Sequence, residues 1–144
     1  MPEEQVTPVK KLQPQVIELI YDDLCQRFHL PHDHEKPRLE KTYGKVLNFA
    51  SPRLDLLAMC VVASRYFKKT LEVQPFSHNN HRIALALALT FLRSNHIGIN
   101  CSEFALYKIA TDFAFDEANE DELAQFFNDH CHLDQPCSQW VITP

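Results

Sequence analysis

Apolar residues recur at three- and four-residue steps over much of the chain, which is the spacing of one face of a helix. Such a face runs through residues 13–28, and prolines at 31 and 37 separate it from a second predicted helix at residues 38–49. Ser51 and Pro52 offer an N-cap and a proline at the first helical position, so they predict the start of a third helix that ends near Lys69.

Three further helices are predicted at residues 80–95, at 102–113 and in a final segment that reaches His130, with a short extended stretch at 97–100. The 80–95 helix is apolar on every side from Ile83 to Leu92, whereas the other helices each have a polar face. A helix without a polar face belongs inside a domain. The pattern therefore predicts a compact, six-helix, all-α domain over residues 13–144, with this helix buried at its centre and residues 1–12 as a flexible arm.

Length, composition and charge narrow the class of protein. A chain of 144 residues with 45% hydrophobic and 23% charged residues fits one folded domain, and only two glycines argue against Gly-rich phosphate loops. The net charge of −5 gives no reason to expect nucleic acid or a membrane surface as partner. The N-terminus has no apolar segment typical of a signal peptide, and five cysteines without a CxxC pair favour reduced thiols. We expect a cytoplasmic protein.

The central helix is preceded by a very polar segment, "QPFSHNNHR", at residues 74–82. Asn79 and Asn80 are residue types that cap helix N-termini, where free backbone N–H groups and the helix dipole favour an anion. Arg82, in the first turn, could bind a phosphate through two N–H groups. The segment therefore predicts an anion site that needs no glycine loop.

This segment and the following "IALALALTFLRSNHIGI" resemble the signature loop and helix of the Fic/Doc (Fido) superfamily, especially the small death-on-curing toxins. The motif of that family is His-x-Phe-x-(Asp/Glu)-x-Asn-(Lys/Gly)-Arg, and Phe76, Asn80 and Arg82 match it in register. The segment "RLEKTYGKVLNF" stands where the family has a helix leading into a substrate-aligning flap. The resemblance implies the Fido fold, which can include a short β-hairpin flap.

In active relatives, the resemblance implies, the histidine is the general base, the acidic residue holds Mg²⁺, and the asparagine and arginine bind nucleotide phosphates. Here Gln74 takes the histidine position, and an amide cannot accept a proton near neutral pH. His78 takes the acidic position, where imidazole is a poor ligand for Mg²⁺, and His81 replaces Lys or Gly. The base and the metal ligand are missing, while Asn79, Asn80, His81 and Arg82 remain as candidates for binding ATP or another nucleotide without a clear role for Mg²⁺.

Three hypotheses follow for the function. The first is a Doc-like pseudoenzyme that keeps a phosphate site and acts through protein binding, with a small antitoxin encoded nearby and a translation-factor-like target as the partners that the resemblance implies. The second is an active transferase that moves AMP or phosphate to a protein hydroxyl, with His78 or His81 as the base. The third is an unrelated helical interaction protein, in which Phe76 is a core residue, Asn80 an ordinary cap and Arg82 part of an ion pair.

Other clusters of chemically competent residues have weaker support. The loop "HLPHDHEKP" and the tail "DHCHLDQPC" hold metal-ligating residue types, but spacing alone does not show that they converge, and we expect no metal site. Cys101 opens a helix without a patterned partner, so a buried thiol is expected there rather than a nucleophile. No Ser or Thr has Glu four residues later, so the inhibitory (Ser/Thr)-x-x-x-Glu helix of many Fido proteins is not expected.

Overall fold

A computed structural model describes residues 6–29, 39–76 and 80–143. The helices are α1 (Pro14–Arg27), α2 (Leu39–Tyr43), α3 (Leu56–Val73), α4 (Asn80–Ser94), α5 (Glu103–Ala114) and α6 (Glu120–Asp129). The strands are β1 (Val6–Pro8), β2 (Arg53–Leu54), β3 (Ile97–Ile99), β4 (Cys131–Leu133) and β5 (Gln139–Val141). Six helices and a mostly helical architecture are thus confirmed, although the short strands mean that the chain is not purely α.

The core lies between α3 and α4. From Ile83 to Leu92 no residue of α4 is exposed, although Leu85, Ala86, Leu89 and Thr90 are only partly buried, so one side of this helix is incompletely covered. However, α3 packs against α4, α6, α2 and two strands, and it buries Tyr66 and Phe67, so the centre of the domain is shared by two helices. None of the described helices is long and apolar enough to cross a membrane.

The strands form two small sheets that join segments far apart along the chain. In one sheet β5 lies between β1, to which it is parallel, and β2, to which it is antiparallel. In the other, β3 pairs antiparallel with β4, although α5 and α6 lie between them in sequence. A β-hairpin flap is not formed by the residues that the structure describes.

Residues 6–12, the described part of the predicted N-terminal arm, contact the domain. Backbone pairing holds β1 against β5, and Leu12 is buried, with its N–H donating to the hydroxyl of Tyr66 at 3.3 Å. Asn95, itself buried, accepts a hydrogen bond from the N–H of Lys10 at 2.7 Å and donates one to the Lys10 carbonyl at 3.0 Å. The interactions that order this segment are non-local, so periodicity gave no sign of them.

Three predicted helix boundaries are also corrected. The N-cap of α3 is Asp55 rather than Ser51, because the stretch after Pro52 pairs with β5 as β2. The same helix continues past Lys69 to Val73. The second helix stops at Tyr43 instead of residue 49, and the carbonyls of Val46 and Asn48 accept hydrogen bonds from Arg65 of α3.

Candidate functional site

The motif segment begins where α3 ends, at Gln74. This residue has the left-handed backbone conformation (φ 50°, ψ 60°), and its N–H donates to the carbonyl of Thr70 at 2.9 Å. Its side chain is exposed. At the position where the resemblance implies a general base, the chain therefore presents a helix C-cap with an amide in solvent.

Phe76 and Asn80, on either side of residues 77–79, contact each other. The ring of Phe76 is 3% exposed and stacks on Tyr21 of α1, with the ring centroids 4.4 Å apart. The side chain of Asn80 accepts from the N–H of Phe76 at 3.3 Å and donates to its carbonyl at 2.9 Å. Because both ends of the Asn80 amide are engaged by one backbone unit, this side chain shapes the loop rather than pointing at a ligand.

Arg82 lies in the first turn of α4 and is exposed. Its guanidinium carbon is 3.6 Å from the centroid of the Phe28 ring, which places the cation over the aromatic face. No ion pair within the described ranges involves Arg82, and the alternative of an acidic partner on its own helix flank stays a prediction. His81, beside it, is also exposed on α4.

The structure thus brings Gln74, Phe76, Asn80 and Arg82 to one end of the helix pair α3 and α4, above the last two turns of α1. His78 and Asn79 lie outside the described residues. The sequence did not predict that Tyr21 and Phe28 would contact this segment. Their seven-residue spacing, with buried Cys25 between them, places both on one face of α1 and was the available signal.

Two segments, the loop "HLPHDHEKP" and the tail "DHCHLDQPC", contain metal-ligating residue types. Most of the loop "HLPHDHEKP" lies outside the described residues. In the tail, Nδ1 of His130 is 2.8 Å from the Phe126 carbonyl, and Nε2 of His132 is 3.2 Å from a carboxylate oxygen of Asp134. Within the described part of the chain, no three His, Cys, Asp or Glu side chains are placed to hold a metal ion.

The cysteines show no sign of activation as nucleophiles. Burial raises the pKa of Cys101 and Cys131, and it raises the pKa of Cys60 to about 12. A raised pKa lowers the fraction of thiolate at neutral pH, which is the nucleophilic form. At Cys101 burial raises the pKa, whereas the dipole at the start of a helix would lower it.

No family model matches the chain, and no curated protein matches it either.

Proposed function

We propose that the chain is a Doc-like pseudoenzyme: a protein with an anion or nucleotide-phosphate site at the start of α4 that acts through protein binding rather than group transfer. The observation that carries the proposal is the exposed Arg82 in the first turn of α4, whose guanidinium carbon lies over the ring of Phe28. The plane of the guanidinium keeps its N–H groups along its edge, so a group stacked through its face retains donors for a phosphate.

The absence of transfer chemistry follows from the side chains at the catalytic positions. Gln74 offers an exposed amide, and the loss of a general base typically costs about 10²–10⁴ in rate. Asn80 uses its amide to hold Phe76, so Arg82 and the backbone N–H groups of the first turn of α4 are the proposed phosphate donors. Such a site binds an anion without activating an attacking hydroxyl.

Titration calorimetry with ATP and GTP, with and without Mg²⁺, tests the proposal. We expect saturable binding to the unmodified chain and affinity lower by roughly 10- to 100-fold in Arg82→Ala, because charge-assisted hydrogen bonds are lost. Arg93→Ala, an exposed arginine in the last turn of the same helix, is the matched control and should bind as the unmodified chain does.

A parallel incubation with nucleotide labelled on the α- or γ-phosphate, together with cell lysate, tests the absence of transfer. Label on protein that disappears in Arg82→Ala would establish the alternative hypothesis of an active transferase with a rewired base. Loss of that label in His81→Gln or His78→Gln would then identify the base. An absence of nucleotide binding in calorimetry would remove the anion site from the proposal.

The third hypothesis, a helical interaction protein without nucleotide binding, is favoured by one observation. Helix α5 has no buried residue, and Phe104, Tyr107 and Phe115, on the helix or directly after it, are 73%, 70% and 73% exposed. Exposed aromatic groups of this kind mark protein contact surfaces. The same titrations separate the two hypotheses, since this one predicts no binding of either nucleotide.

A further inference from the structure

Phe28 is placed by the end of α1. It is the C-cap residue of that helix, and its N–H donates to the carbonyl of Leu24 at 3.1 Å. Its ring is 44% exposed, whereas Tyr21 and Cys25 on the same face of α1 are buried. A ring with so much exposure contributes little to the core, and within the described part of the chain it contacts the guanidinium of Arg82.

The contact with Phe28 restricts the conformations of the Arg82 side chain. A free arginine side chain at a helix surface samples many rotamers, and a ligand must then restrict it. A guanidinium whose carbon lies 3.6 Å from a ring centroid is restrained on the side of the ring, while Arg82 as a whole remains exposed to solvent. The ring therefore reduces the ordering that binding a phosphate requires.

Two aromatic contacts connect α1 to the motif segment. Tyr21 stacks on Phe76, which Asn80 holds through its backbone, and Phe28 lies under Arg82 one turn into α4. The last two turns of α1 thus support both the loop and the cation. The residues that provide this support lie more than 40 positions from the motif in sequence.

We propose that Phe28 is a positioning residue that holds the Arg82 guanidinium ready to bind the phosphate groups of a nucleotide. This inference depends on the proposed function, since it names the residue that orients the proposed phosphate donor.

The stack itself is tested by nuclear magnetic resonance of the full chain. Protons of the Arg82 side chain that lie over an aromatic ring resonate upfield, so we expect their shifts to move toward ordinary values in Phe28→Leu and to stay upfield in Phe28→Tyr. Unchanged Arg82 shifts in Phe28→Leu would show that the two groups are not stacked in solution and would overturn the proposal.

The positioning role is tested by calorimetry with ATP. Affinity should be weaker by roughly two- to five-fold in Phe28→Leu, the ratio that corresponds to an exposed cation–π contact. Phe28→Tyr, which keeps an aromatic face, should restore it, and Leu19→Ala, an exposed apolar residue on the same helix, should leave it unchanged. In an Arg82→Ala background, Phe28→Leu should have no further effect, because its effect acts through the arginine.

The outcomes separate the two proposals. If the unmodified chain binds ATP and Arg82→Ala weakens it while Phe28→Leu binds equally well, the positioning role is wrong and the proposed function stands. A Phe28→Leu effect that persists without Arg82 also contradicts the positioning role. If the unmodified chain and Arg82→Ala both fail to bind ATP, the proposed function fails, and the positioning role fails with it.

Discussion

At the scale of single residues, Gln74 is the C-cap of α3 as well as the first residue of the motif segment. Its left-handed backbone turns the chain out of α3 toward Phe76, and its N–H caps the carbonyl of Thr70. This conformation costs a residue with a β-carbon about 1–2 kcal/mol, and glycine is the residue that commonly adopts it after a helix. The chain bears this cost at the position where the resemblance implies the base.

Replacing Gln74 by Gly should therefore stabilise the protein. Relief of the backbone cost is partly offset by the greater freedom of glycine in the unfolded chain, so we expect the free energy of unfolding to rise by about 0.5–1 kcal/mol. Urea denaturation measures it, and Gln74→Ala, which keeps the β-carbon, is the control that should show no gain. ATP affinity should be the same in both variants, and a marked loss would indicate that the Gln74 side chain contacts the ligand.

At the scale of elements, the start of α3 gives the clearest prediction. The carboxylate of Asp55 accepts a hydrogen bond from the N–H of Ala58 at 2.8 Å, and its charge lies at the positive end of the helix dipole. Asp55→Ala should lower the free energy of unfolding by about 1 kcal/mol. Ser51→Ala, at the cap position that the sequence suggested, should change it by less than about 0.5 kcal/mol. Equal losses in urea denaturation would contradict the cap assignment.

The six helices could be predicted because each has an apolar face that repeats along the sequence itself. The ends of these helices could not be predicted where pairing with a distant segment determines the local structure. The Ser51–Pro52 pair looks like a helix start, but pairing with β5, which lies more than 80 residues away, keeps Arg53 and Leu54 extended. The same limit applies to β1, whose pairing partner β5 lies near the other end of the sequence.

The location of the candidate site could be predicted from the sequence, but the contacts within it could not. Its position before the central helix was visible in the polar segment, and the motif identified Phe76, Asn80 and Arg82. The sequence could not show that the Asn80 amide is used by the Phe76 backbone, nor that Arg82 lies over Phe28, because these are contacts of side chains in three dimensions.

At the scale of the whole molecule, the core holds acidic groups that are neutral when buried. Burial raises the pKa of Tyr43 to about 12 and that of Cys60 to about 12, and it raises the pKa of Tyr66 as well. Tyr43 and Tyr66 also tie the core together, since the Tyr43 hydroxyl is 2.6 Å from that of Thr70 and the Tyr66 hydroxyl accepts from Leu12. Deprotonating these groups requires exposing them.

The fold should therefore lose stability in alkali. Because the pKa of each group is higher in the folded state, the full stability is present below about pH 9, where the thiol of the unfolded chain begins to ionise, and it falls as the pH rises toward 12. Each group contributes a slope of up to about 1.4 kcal/mol per pH unit. Urea denaturation from pH 8 to pH 11 measures this slope.

Single substitutions show which buried groups cause the loss of stability with rising pH. Cys60→Ala should reduce the slope between about pH 9 and about pH 10 without abolishing it, because burial also raises the pKa of Cys101 and Cys131. Tyr43→Phe should reduce the slope above pH 10, and Tyr107→Phe, at an exposed position, serves as its control. Stability that is constant from pH 8 to pH 11, or a slope that neither Cys60→Ala nor Tyr43→Phe reduces, would show that these buried groups do not govern the response of the core to alkali.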